Sequence, residues 1–343
     1  MSQSTRISYG IMAVLLVLIG WLHLGMLVLT TLFGYFALQK FSFGRSKLLG
    51  VAIYLVAVTA VVFGLFYFSK RAYVALPKIA ENTIPAVVDF AEKKHIELPF
   101  TDYESAKTVA MTEVKEGVAN VGRYLRTAVF EIAQLIIGLV VAVSMFLNAK
   151  WGSENDPQSS HDSLYATVAR ELQMRCLTFF ESFSRVIGAQ ITISIINTGL
   201  TAIFLIATGY PYKTVIVVLT FLCGLLPIIG NLISNTLIVG VGFTISPETA
   251  LIALVFLVVI HKLEYFLNSK IIGDRIKSPM WLTLIGIVLG EKLMGVPGMI
   301  LAPVVLHYIK VEASRNKASE VGSEVVAPSE PAREPDAVQT DKL

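Results

Sequence analysis

The chain has 343 residues, 55% of them hydrophobic and only 15% charged, with a mean hydropathy of +0.68. A soluble globular domain carries roughly 25% charged residues, so a water-soluble enzyme is excluded first. Net charge is +3 from 28 basic and 25 acidic residues, too small to argue for a nucleic-acid partner.

Seven stretches hold few charges: 7–38, 48–68, 129–147, 186–207, 214–245, 249–267 and 281–309. Each is about as long as, or longer than, the roughly 20 apolar residues that cross a bilayer. The class is therefore an all-α polytopic membrane protein. Lys and Arg collect in short cytoplasmic loops, which gives orientation. Arg6 precedes the first run and Lys40, Arg45 and Lys47 follow it, so both its ends face the cytoplasm. As one helix it would be about 48 Å long, against a core of about 30 Å. A hairpin turning near Gly20–Gly25 satisfies both facts. Ile11–Ile19 has the look of a signal-peptide core, but no small-residue cleavage site follows and the apolar run continues to Leu38. It is read as retained, and residues 1–68 as a membrane hairpin with a third span.

Residues 69–127 hold nine basic and eight acidic residues and are placed outside the cytoplasm by parity. Thr101 and Glu104 form a capping-box pattern, and Val114, Val118, Val121 and Leu125 recur at helical spacing. Amphipathic helices lying on the membrane or on a neighbour are expected there. Region 128–185 supplies a fourth span and a second amphipathic helix, whose stripe is Leu164, Val168, Leu172, Cys176, Phe179 and Phe183.

Region 186–311 is the C-terminal membrane core. Its run 214–245 is broken by Gly224, Pro227 and Gly230, and its last run by Gly290, Gly295, Pro297, Gly298 and Pro303. With the first run, that makes three hairpin-like segments and about eight membrane segments in all. The tail 312–343 has three prolines, no aromatics, four basic and seven acidic residues, which reads as a disordered cytoplasmic tail.

Broken membrane helices leave polar backbone free, and at bilayer depth that is tolerated only against protein or a watery cavity. Each break reads either as a packing kink or as part of a solute path; three paired breaks favour transport. Gln190, Ser194, Asn197 and Thr201 make one polar stripe on an otherwise apolar helix. Asn231 and Asn235, with Ser234, lie beside the Pro227–Gly230 break. These neutral amides either line a path or join helices by hydrogen bonds. Among the ionisable residues in or near apolar runs, His261 and Glu264 share a helix face. They suit proton coupling or, equally, a terminal ion pair with Lys262 reaching water. Glu248 beside Pro247 reads as a helix cap and Glu291–Lys292 as a solvated hairpin tip. Cys176 and Cys223 fit neither a metal spacing nor a disulfide framework. No P-loop, H-E-x-x-H or G-x-S-x-G occurs, so no enzyme chemistry, metal or cofactor is expected.

Residues 186–306 resemble the autoinducer-2 exporter (AI-2E, PerM-like) family of bacterial permeases. The matching pieces are Gly209-Tyr-Pro-Tyr212, Gly224-Leu-Leu-Pro-Ile-Ile-Gly-Asn-Leu232, Leu263-Glu264 with Lys270-Ile-Ile-Gly273, and Gly290 through Gly295-Val-Pro-Gly298 to Pro303. His261 and Tyr265 stand where the family usually has Gln and Asn. The resemblance implies a secondary transporter assembled as a homo-oligomer such as a pentamer. A lipid-contacting protein of the bacterial inner membrane is expected, and Arg6 before the first run with Lys310, Arg315 and Lys317 after the last place both termini in the cytoplasm. Exporters of autoinducer-2 and sodium(lithium)/proton antiporters are both implied, and a non-transporting scaffold is the rival from another class. The expected path is Gln190, Ser194, Asn197, Thr201, Pro227, Gly230, Asn231 and Asn235 with the hairpin residues Gly295, Pro297 and Gly298. The expected coupling pair is His261 and Glu264.

Overall fold

The computed structural model describes residues 2–42, 46–95, 121–148, 163–227, 229–272 and 279–325. Among these residues the secondary structure is helical, without strands. The first five helices are α1 (Gln3–Trp21), α2 (Gly25–Phe41), α3 (Lys47–Lys93), α4 (Val121–Leu147) and α5 (Leu164–Ala207). The rest are α6 (Lys213–Gly224), α7 (Ile229–Phe243), α8 (Pro247–Ile272), α9 (Met280–Met294) and α10 (Val296–Val325). Five stretches are long and apolar enough to cross a membrane: Gln3–Trp21, Lys47–Lys93, Ala128–Leu147, Leu164–Ala207 and Val296–Arg315. Gly25–Phe41, Lys213–Gly224 and Ile229–Phe243 are apolar but shorter. The all-helical polytopic class holds, with five helices of crossing length among the described residues where the sequence suggested about eight segments.

The first hairpin turns where expected, at Leu22–Leu24, with His23 in the left-handed region at φ 52°. Gln134 of α4 clasps that turn. Its Nε2 donates to the His23 carbonyl at 3.0 Å, and its Oε1 accepts from the Leu27 N–H at 3.1 Å. The first N–H groups of α2 have no intrahelical acceptor, and at membrane depth no water replaces one. Replacing Gln134 with Leu should lower the melting temperature, at a loss of roughly 1–3 kcal/mol for the two groups left unpaired. Thermal unfolding in detergent reads it directly, and an unchanged melting temperature would refute it.

α3 is about 70 Å long and runs past residue 68 through Pro77 and Pro85. Its second half is thus a continuation of the third span. Ala72, Ala75 and Ile79 share one face and enter the core built by Leu205, Tyr210, Val215, Ile216, Ile238, Val241, Ala253 and Leu257. Thr101, Glu104, Val114 and Val118 lie outside the described residues, and Val121 opens α4. A second core joins Met12, Leu29, Phe179, Phe183, Ile187, Leu301, Val304 and Tyr308, so α1, α2, α5 and α10 pack together.

The N-terminal part of α5 carries the expected apolar stripe and also a buried charge cluster. Arg175, with 8% of its side chain exposed, reaches Glu171 at 3.2 Å and Glu312 at 3.1 Å. Its Nε donates to Ser8 Oγ at 3.0 Å, and its guanidinium lies 3.4 Å from the Tyr9 ring centroid. Ser4, Thr5 and Ser8 donate to Glu171, and Tyr9 donates to Glu312. The cluster ties α1, α5 and α10 at one end of the bundle. The tail expected to be disordered from 312 is instead helical through Val325, with Glu312 buried. Burial with two fixed partners supplies the order that tail composition alone would not.

Candidate functional site

The break between α6 and α7 is where the polar groups converge. α6 stops at Gly224, and the chain turns through Leu225–Pro227. The last carbonyls of a helix lack intrahelical donors, and here α5 supplies them. Gln190 Nε2 donates to the Gly224 carbonyl at 2.6 Å, and Ser194 Oγ donates to the Phe221 carbonyl at 3.0 Å. Half of the polar stripe therefore holds the broken backbone in place.

The next residue of the stripe faces a different partner. Asn197 Nδ2 donates to Glu264 Oε2 at 3.4 Å, and Asn231 Nδ2 donates to the same oxygen at 2.7 Å. Three helices, α5, α7 and α8, meet on one carboxylate. Asn231 lies in the first turn of α7, so the carboxylate sits beside the positive end of that helix. Asn197 is buried, and its Oδ1 has no partner among the described residues. The group thus offers a carboxylate and a free buried amide acceptor, the chemistry that takes hydroxyl donors or a cation.

Gly230 permits the approach of the two half-helices. A Cβ there would overlap the Cys223 carbonyl, which belongs to the last turn of α6. Pro227 shapes the turn, its carbonyl accepting from the Ile229 N–H at 2.7 Å. Thr201 is buried one helical turn beyond Asn197.

A cavity of about 750 Å³ opens between α7, α8 and Val87 of α3. Asn231, Asn235, Thr236, His261 and the charged Lys262 are the polar groups on its otherwise mainly apolar wall. His261 is exposed, and among the described residues no hydrogen bond joins it to Glu264. Gly295, Pro297 and Gly298 are elsewhere: they form the α9–α10 turn, where Met294 and Pro297 pack against Gly25 at the α1–α2 hairpin. The sequence grouped them with the path; the fold gives them to a separate contact. At the head of α8, Ser246 provides the cap, its Oγ accepting from the Thr249 N–H, and Glu248 lies in the first turn. Hydrogen bonds from its own N–H and from Ser246 hold the exposed Glu248 carboxyl below its ordinary value. Glu291 and Lys292 form an exposed pair at 3.6 Å beside the last turn, as expected of a tip.

Two groups of residues that hold the helices together do not stand out in the sequence. Gln134 is visible there as a lone amide in the apolar run 129–147. The Arg175 cluster is visible only in part: Ser4 and Ser8 lie one turn apart, as do Glu171 and Arg175, but Glu312 is 137 residues from its partner.

A bundle of apolar helices with a half-helix break, polar amides and one carboxylate at the break defines a polytopic protein of transporter type. The sequence model of the AI-2E family transporters matches residues 7–314. The chain belongs to the AI-2E transporter family. It is also 25% identical over 207 residues to a Bacillus subtilis (strain 168) protein named "Putative transport protein YdbI", an alignment covering 60% of this chain and 59% of the relative. The chain thus spans about 59% of that relative's length.

Proposed function

We propose that the protein is a secondary transporter that exports a small polar solute such as autoinducer-2 by alternating access across the bacterial inner membrane. The observation that carries this reading is the Asn197–Glu264–Asn231 group at the α6–α7 break, adjoining the cavity between α7 and α8. The solute enters the cavity past Asn235 and His261 and exchanges its hydroxyl donors with the Glu264 group. Because α5, α7 and α8 share one carboxylate, releasing that oxygen lets α7 and α8 move against α5. His261, on the cavity wall, is the nearby group that would relay a coupling proton.

Glu264 also favours a second reading, sodium(lithium)/proton antiport, since a single carboxylate can hold a cation and a proton in turn. Liposomes holding a pH-sensitive dye separate the two when challenged with sodium, lithium and a labelled furanone-type autoinducer. Autoinducer crossing without a cation-driven pH change supports export; a cation-driven change lost in Glu264→Gln supports antiport. In either case Glu264→Gln and Asn231→Leu should each slow transport about tenfold or more, worth about 1.4 kcal/mol, with helix content unchanged. Full transport in both variants would remove the Glu264 group from the path, whereas a native protein silent toward every one of these solutes would point to a non-transporting scaffold.

A further inference from the structure

A second cavity, of about 620 Å³, lies at the other end of the bundle from the Arg175 cluster. Arg175 and the end of α5 at Ala207 are 32 residues apart, about 48 Å along the helix, and the α5–α6 turn follows. The cavity is lined by Lys70, Arg71, Lys78 and Lys213 together with Tyr67 and Tyr212, and no carboxylate belongs to the lining. Three of the cations come from the stretch of α3 just beyond its apolar run. The fourth opens α6.

None of the four cations makes an ion pair among the described residues. Arg71 donates to the Tyr67 hydroxyl at 2.7 Å, which aims its guanidinium, and Lys70 lies 5.1 Å from the Phe66 ring. Glu81 is the acidic residue of α3 nearest in sequence; it is exposed and lies outside the lining. Like charges gathered without a counter-charge repel one another, and an anion among them relieves that repulsion. The backbone adds to the field. Tyr212 adopts φ 54° before α6, and its carbonyl accepts from the Val215 and Ile216 N–H groups. Lys213 and Thr214 form the first turn of α6, the positive end of that helix, and both residues line the cavity.

We propose that this cavity binds a phosphate group at the membrane surface. A guanidinium held by a tyrosine, three ammonium groups and a helix start are the donors that recognise phosphate. Tyr67, at the end of the apolar stretch 48–68, is where an interfacial aromatic belongs, so the phosphate of an anionic lipid headgroup is within reach. A soluble phosphate ester would use the same donors.

The test uses the full-length protein, stripped of lipid in detergent, and the variant Lys70→Gln/Arg71→Gln/Lys213→Gln. Phosphatidylglycerol and glycerol phosphate are offered separately, and binding is read by native mass spectrometry and titration calorimetry. All three side chains are exposed, and circular dichroism verifies the variant's helix content. Loss of three cations should weaken phosphatidylglycerol binding about a hundredfold, whereas Lys70→Arg/Lys213→Arg should retain it. Lipid binding that glycerol phosphate cannot displace assigns the site to a headgroup. Direct glycerol phosphate binding, lost in the Gln variant, assigns it to a soluble ester. Equal binding of both probes to protein and Gln variant overturns the proposal, and so does no binding to either. Neither result bears on transport through Glu264.

Discussion

Replacing Arg175 with Met should destabilise the protein by roughly 3–5 kcal/mol, the range for a buried charge pair stripped of one partner. The guanidinium holds Glu171 and Glu312 on two different helices, and Met would leave Glu171 without its cation and the buried Glu312 with only the exposed Arg315 at 3.9 Å. Stacking of Tyr9 against the guanidinium would be lost as well. Arg175→Lys should recover little of this, because one compact ammonium cannot span two carboxylates and Ser8 at once. A triple change, Arg175→Met with Glu171→Gln and Glu312→Gln, should recover much of it, since no uncompensated charge remains. Melting of the detergent-solubilised protein, followed by intrinsic fluorescence, measures all three. A single variant that melts with the native protein would show that the cluster contributes nothing net.

Gly230→Ala is the second large effect expected, and it links the fold to the site. The added methyl would meet the Cys223 carbonyl and carbonyl carbon, which are backbone and cannot turn aside. Either α6 or α7 must shift, at a strain of typically about 1–3 kcal/mol. The shift carries Asn231, one residue on, away from the 2.7 Å bond to Glu264. Transport in liposomes should therefore fall by more than the loss of stability explains. Gly199→Ala is the matched control: on α5, with nothing within 4 Å of the added carbon, it should be neutral or slightly stabilising. If both variants transported equally, the close approach of the two half-helices would have no part in function.

The candidate site is partly legible in the amino-acid order. Gln190, Ser194, Asn197 and Asn231 stand out as amides and hydroxyls on apolar helices, and Pro227 and Gly230 mark the break. Their division of labour is not legible there. Gln190 and Ser194 turn to the carbonyls of α6, while Asn197, three residues on, turns to Glu264. One helix face reads the same for both, because spacing gives direction about an axis and says nothing of the neighbour met there. Similarly, Gly295, Pro297 and Gly298 look like the residues of the first break, yet they lie at a turn that packs on Gly25.

Hydropathy, helical period and Gly/Pro punctuation suffice to make the protein helical and membrane-spanning, to place its hairpin turns and breaks, and to carry its family resemblance. All of these act over a few tens of residues, so the local order of the chain contains them. Helix packing alone decides that the charged half of α5 buries Arg175 against Glu312, that α3 continues past its span into the core, and that Glu264 is shared by three helices. Each of these joins residues far apart in the chain. In the membrane such packing is set by close fit and hydrogen bonds between helices, with little guidance from hydropathy.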